Sequence, residues 1–472
     1  MIQRKSVAKI KQMVPHPVHV NVSRFAHTFI ANLPIIKSTV STENYCTNRI
    51  SFSGTMKKVD DISPFYLIQK MDYKKIKDKC LANGRLSEMA IDNFIMHYGA
   101  FRNGLDREFD ARQKPYKHLN GRFPEGSIGR LKAQYIVHRI FKDDGLIRKY
   151  LNHSEVKALA SDVQMFLHEQ SGTPWRFAFS YITDNPAPDF YVMVDIFRDE
   201  KFLLYSPGVS ANIAEGHVMV WSNLIAYNGE CWQSFGPIGA FRGFDNDDIF
   251  FFATEVNPDI ESEEDVVNEV EKNPLPFMML LSNSNAPLVN SRGFDLVHLQ
   301  ATYEADNFPD DKAKSQFDIE WSDGVYMAKL KDWAEPPHYA TLYFHEPDGE
   351  LQLSALTVDG FDKLVKATRK LGFEVDDEPM IRLHPSMHST IELILKRKVD
   401  LFPYASAFKK VDDGNNDTLN RINMVLKWAM GDLNNDRDPD LRALAEKAGL
   451  VYEDVREVLE GAAAHVKKVR KG

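Results

Sequence analysis

PWRFAFSYI (Pro174–Ile182), DFYVMVDIF (Asp189–Phe197), EKFLLYS (Glu200–Ser206) and DDIFFFATEV (Asp247–Val256) are the stretches that decide the fold of this chain. Trp175, Phe177, Phe179 and Tyr181 alternate with Arg176, Ala178 and Ser180, the period-two pattern of a half-buried strand. Between Trp175 and Val256 there are 18 aromatic residues in 82 positions, about twice the 11% of the whole chain. Aromatic and β-branched side chains pack best on a pleated surface, so a β core is expected in the middle of the protein, with IFFFATEV as one of its strands.

The turns around this block specify how its strands pair. Arg198-Asp199-Glu200 connects Phe190–Phe197 to Lys201–Tyr205, and Asn228-Gly229 connects Val218–Tyr227 to Cys231–Phe235. Asp323-Gly324 and Asp348-Gly349 repeat the device between FDIEW and VYMAKL and between TLYFHE and ELQLSAL. Such dipeptides suit tight hairpins, and short loops cannot join parallel strands, so antiparallel pairing follows.

Helical periodicity flanks the β block on both sides. Ile91, Phe94, Ile95, Tyr98, Phe101 and Leu105 form one apolar stripe, and Ile128–Phe141 a second. A third helix is expected from Ser154 to Gly172. Ser262-Glu263-Glu264-Asp265 has the form of a capping box ahead of Val266–Lys272. Phe361, Leu364, Val365, Thr368 and Leu371, closed by Gly372, form a later amphipathic helix, followed by another from Ser386 to Lys398. The chain therefore reads as α+β. Residues 57–172 form a helical region, 173–408 a large, mostly antiparallel core, and 417–472 a small helical module behind the polar linker KKVDDGNND (Lys409–Asp417).

Residues 1–56 differ in kind. They hold seven Lys or Arg and one acid, Glu43, whereas the whole chain has a net charge of −9. This is the balance of a transit peptide or a polybasic arm, and we read the stretch as a disordered or untranslated leader, with Met56 as the alternative start. Three cysteines, Cys46, Cys80 and Cys231, never form a Cys-x-x-Cys pair, which points to a reducing, cytoplasmic setting. No apolar run reaches the roughly 18–20 residues of a membrane span.

Motifs that would carry chemistry are weak. Ala445, Gly449, Val455 and Val458 match a helix-turn-helix, but its second helix, Tyr452–Glu460, carries four acids and one arginine and would repel a duplex, so DNA is not the expected partner. Asp432, Asn434, Asp436 and Asp438 resemble a calcium loop, yet Arg437 and Ala443 stand where glycine and a bidentate acid are needed. Pro188-Asp189 with Asp199-Glu200-Lys201 has the letters of a nuclease motif, but about 33 Å of extended strand would separate the aspartates. His384, His388 and Glu392 lie four apart, on one helical face as metal ligands would; a capping or surface role is expected instead, because Pro385 makes His384 the N-cap. No phosphate loop or nucleophile elbow occurs, and no cofactor or metal is expected.

Two functional expectations remain. The leading one is a non-catalytic interaction or regulatory protein that docks another protein through an aromatic sheet surface (Trp175, Trp221, Trp232, Phe235) or through its helical tail. The alternative is a hydrolase or nuclease. Asp195, mid-strand in VMVDIF and on the face of Met193 and Phe197, would then act with Asp247, Asp248, Arg176 and Arg242 in an open cleft. Arg176 or Arg242 is the expected partner of Asp195.

Overall fold

The computed structural model describes residues 71–408, apart from Glu215 and the side chains of residues 92 and 93, and a discontinuous set of residues between 421 and 460. The expected leader and the KKVDDGNND linker lie outside the described residues. The chain divides into two compact units, Met1–Leu401 and Phe402–Gly472.

Helices come first: α1 (Tyr73–Ala90), a π-helical segment (Ile91–Arg102), α2 (Leu105–Gln113) and α3 (Ser127–Phe141). The stripe expected from Ile91 to Leu105 is split between the π-helical segment and α2, and its Phe101 is exposed because a π-helix does not keep the 3.6-residue period. The helix expected from Ser154 to Gly172 is broken. A single turn, Ser154–Lys157, precedes α4 (Ser161–Gln170), and Val163, Phe166 and Leu167 still face inward.

The aromatic block then closes on itself. Strands β1 (Arg176–Ala187), β2 (Phe190–Asp195), β3 (Lys201–Tyr205), β4 (Val220–Tyr227) and β5 (Trp232–Phe241) form a closed barrel in the order β1-β2-β3-β5-β4. Its pairs are antiparallel except for the closing one, a short parallel contact between β3 and β5 at Leu204↔Trp232 and Tyr205↔Gln233. Hairpin reasoning could not reach this pair, because helix α5 (Pro207–Ile213) and β4 intervene. Val194, not Phe197, lies opposite Lys201, so the β2–β3 turn is longer than expected.

Period two explains both surfaces of the barrel. All five strands contribute to one cluster that includes Ala178, Met193, Leu204, Trp221 and Ile225, which is the interior. Phe190, Val192, Leu203 and Tyr205 face the other way and pack on Ile76 and Cys80 of α1. Burying rings on both faces gives this small barrel its apolar mass.

The stretch expected as the last aromatic strand, IFFFATEV, is a helix instead: α6 spans Asn246–Val256. Eight consecutive residues, Asp248 through Glu255, are buried, so no exposed polar face marks the helical period in this stretch. A short apolar run of that kind does not distinguish a buried strand from a buried helix. The capping box before α7 (Glu263–Lys272) forms as expected, with Ser262 and Asp265 each accepting from the other's backbone N–H.

A small hairpin, β6 (Asn290–Ser291) with β7 (Phe294–Asp295), precedes a second sheet. Its strands are β8 (His298–Glu304), β9 (Phe317–Ser322), β10 (Val325–Leu330), β11 (Thr341–His345), β12 (Glu350–Ala355) and β13 (Ile381–Leu383). They run antiparallel in the order β13-β8-β12-β11-β10-β9. Asp323 and Gly324 both adopt positive φ (50° and 80°), the left-handed pair that a two-residue hairpin turn demands. Helix α8 (Val358–Leu371) lays Phe361, Leu364, Val365 and Leu371 on this sheet. Thr357 caps it by accepting from the Gly360 N–H, and Gly372 ends it at φ 107°. The expected core is thus two sheets rather than one. Among the described residues no helix is long and apolar enough to cross a membrane.

In the second unit Val425, Ala445, Ala448, Leu450, Val455 and Leu459 share a core. Ala445 lies in helix α10 (Leu441–Lys447), and Gly449 turns the chain at φ 72°. Val458 lies outside the described residues.

Leu353 is fully buried in the second sheet's core, so Leu353→Ala should cost about 2–5 kcal/mol, whereas losing the cap in Thr357→Ala should cost about 1 kcal/mol. Urea unfolding of the two variants beside the parent measures both losses and their ranking.

Candidate functional site

The densest cluster of titratable groups forms where α6 meets β13 and α9 (Pro385–Leu395). Asp245 is the N-cap of α6. Its Oδ1 accepts from the backbone N–H of Asp247 (3.1 Å) and Asp248 (3.2 Å), while Asp248 Oδ2 accepts from the Asp245 N–H (2.8 Å). The Asp pair expected at a strand entrance therefore opens a helix, where carboxylates satisfy N–H groups and oppose the positive end of the dipole.

Strand β13 delivers the counter-charges. Arg382 donates to Asp245 Oδ2 and stands 3.9 Å from Asp247. His384 binds Asp248 twice, donating its backbone N–H to Oδ1 (2.8 Å) and holding Nδ1 at 2.7 Å from Oδ2. Asp248 is fully buried and His384 nearly so. Burial alone would strip the His384 proton, but the hydrogen bond to Asp248 and the charges of Asp248 and Asp245 outweigh it and raise its pKa above the ordinary imidazole value. Burial pushes Asp248 upward as well, against the opposing pull of His384.

Two more histidines adjoin this cluster. His388 Nε2 is 2.8 Å from the Val399 carbonyl, and its ring meets that of His298 edge-on at 5.7 Å. Burial, then the neighbouring His388 and His384, lower the pKa of His298 to about 3, so that ring is neutral. His384 stands at the N-cap of α9 as expected, but its side chain pairs with Asp248 rather than with the helix, and the surface role is corrected because both His384 and His388 are buried. Asp245, Asp248 and His384 bring ligand atoms within 4.8 Å of one another, a donor set that suits a divalent cation. Arg382 already supplies a positive charge to Asp245 there.

Asp195 belongs to a different network. It accepts from the backbone N–H groups of Phe197 and Arg198 (both 3.1 Å), and its side-chain partner is Arg198 (3.0 Å), not Arg176 or Arg242. Arg198 also lies 3.6 Å from Glu271, which accepts from the Phe177 N–H and meets His138 Nε2 at 2.7 Å. The chain of charges ties β1 and β2 to α3 and α7. Arg176 pairs with Glu200 (2.6 Å) over the ring of Trp232, and Arg242 reaches Asn285. The five residues expected to share an open cleft are thus divided among separate networks.

The aromatic docking quartet is likewise divided. Trp175 and Trp221 are each only 1% exposed, Trp175 stacking between Phe141 and Phe235, so neither can form a surface. Trp232 and Phe235 are half-buried. Phe235 lines a shallow recess of about 170 Å³ between α3 and β5, with Ile91, Ala133, Val137, Pro237 and Arg130. Gln134 shapes it by donating to the carbonyls of Phe235 (2.8 Å) and Pro237 (2.9 Å), around Gly236 at φ 73°. No protein-family model matches the chain, and no curated protein matches it.

Because the pKa of His384 is raised on folding, its stabilising effect is complete below about pH 6.5 and is lost as pH rises through the folded value. His384→Gln should therefore lose most stability relative to the parent at low pH, and the difference should shrink above neutrality. Urea midpoints of both proteins across pH 5–9 measure this.

Proposed function

We propose that this protein is a non-catalytic interaction protein that receives an acidic, apolar segment of another protein in the Phe235 recess. The observation that supports this reading is the recess itself: a shallow apolar floor of Ile91, Ala133, Val137 and Phe235, with Arg130 among the lining residues and its guanidinium donating to Ser127 Oγ (3.0 Å). Its volume suits one large apolar side chain rather than a drug-sized substrate. The sequence from Arg112 to Lys132, which leads into α3, carries six Lys or Arg against one acid in a chain of net charge −9. A partner whose apolar anchor is flanked by Asp or Glu complements that charge, and electrostatic steering would speed its association.

A second reading, a metal-assisted hydrolase or nuclease, draws on one feature: the convergence of Asp245, Asp248 and His384. It differs from docking in requiring Arg382 to release Asp245, and a phosphodiester substrate to reach a nearly buried imidazole.

Peptide phage display on the immobilised full chain tests the docking reading. Selected peptides should share a large apolar residue beside Asp or Glu, and Ala133→Arg and Arg130→Glu should each weaken binding about tenfold or more, as loss of a central anchor does. Peptides that bind both variants as well as the parent would remove the recess from consideration.

A further inference from the structure

Cys80 and Cys231 are 151 residues apart in sequence, yet their sulfurs lie 3.4 Å from each other. Cys80 is on the inner face of α1 and Cys231 closes the loop between β4 and β5, both within the cluster that holds α1 on the barrel. The surroundings are polar on one side. Asn228 Nδ2 donates to Cys80 Sγ (3.2 Å) and approaches Cys231 Sγ (3.7 Å). Asn228 is itself fixed, its Oδ1 accepting from the N–H groups of Glu230 and Cys231 (both 2.9 Å). Gln233 anchors the other strand end by donating to the Cys80 carbonyl (2.9 Å).

We propose that Cys80 and Cys231 are an oxidative modification site, a thiol pair that hydrogen peroxide converts to a disulfide joining α1 to the β4–β5 loop. Two thiols that merely fill a core need no amide directed at their sulfurs; this pair has one, together with the Lys79 ammonium nearby. The hydrogen bond with Cys231 holds the Cys80 pKa below the ordinary thiol value despite burial, and Asn228 and Lys79 add to the effect. The same contact, with burial, pushes Cys231 up. The Asn228 amide lies closer to Cys80 Sγ (3.2 Å) than to Cys231 Sγ (3.7 Å) and so stabilises a thiolate on Cys80 first, which makes Cys80 the nucleophile and Cys231 the resolving thiol.

The chemistry balances without a further reactant. The Cys80 thiolate attacks one peroxide oxygen, an S–O bond forms as the O–O bond breaks, and the departing hydroxide takes a proton to become water. Cys231 then attacks the sulfenic sulfur, and the second oxygen leaves with the Cys231 proton as water. Two thiols are oxidised and one peroxide is reduced to two waters. Both cysteines are only 1% exposed, so a small oxidant can reach them through local opening of α1, whereas bulky disulfide reagents are excluded.

The test uses the reduced full chain, treated with hydrogen peroxide, quenched, alkylated under denaturing conditions and mapped by mass spectrometry. A Cys80–Cys231 linked peptide, lighter by two hydrogens and restored by dithiothreitol, is expected. Amide exchange across Tyr73–Ala90 should slow in the oxidised protein. In Cys231→Ser, Cys80 should stop at a dimedone-reactive sulfenic acid; in Cys80→Ser, Cys231 should stay reduced. Over-oxidation of Cys80 without a link, linkage of either residue to Cys46, or full alkylation of both after peroxide would each overturn the proposal.

Discussion

A carboxylate removed from water has to be compensated by donors, and Asp248 draws its donors from both sides of a junction. On one side is its own helix, through the Asp245 N–H; on the other is His384, through backbone and ring, just beyond β13. With Arg382 on Asp245, these contacts fix the start of α6 against the edge of the second sheet. The apolar core alone would let the two elements slide, since apolar contacts carry no direction. The charged clasp supplies a register, and removing the His384 side chain leaves the buried Asp248 short of a partner.

The barrel shows the opposite economy. Its interior is filled by large side chains from every strand, including Met193, Phe202 and Trp221, and its outer face is covered by α1 and α3. Aromatic richness in the sequence therefore reflects two buried faces rather than an exposed surface. Rings of the barrel that reach solvent in part include Tyr181 on β1 and Phe235, which at the side of the Trp175 stack borders the recess between α3 and β5. The proposed docking function rests on that recess, in a part of the chain whose local charge is opposite to the whole.

Polar groups inside this fold are organised as separate networks. The Asp195–Arg198–Glu271–His138 chain joins strands to helices by directed bonds, and the cysteine pair with Asn228 and Gln233 does the same beneath α1. Each network bridges elements far apart in sequence, and each sits where apolar packing alone would leave orientation undetermined. The proposed oxidation would act at one of these joints, where a covalent bond can change how firmly a helix is held without reshaping the barrel.

Local signals in the sequence determined the α+β class and the hairpins at Arg198–Glu200, Asn228-Gly229, Asp323-Gly324 and Asp348-Gly349, because alternation, capping and turn chemistry act over a few residues. Asp323-Gly324, the Ser262–Asp265 box and the Thr357–Gly372 helix are legible in that way. Asp195 could be singled out as an acid in apolar company and Asp248 as half of an acidic pair before an apolar run, but their partners could not. The tertiary structure alone decided that IFFFATEV is a helix, since a segment buried on all sides has no polar face to betray its period. It alone closed the barrel through β3 and β5, and brought Asp248 to His384 and Cys80 to Cys231 across 136 and 151 residues. Contacts at such separations depend on how whole elements pack, and no local pattern of side chains encodes that.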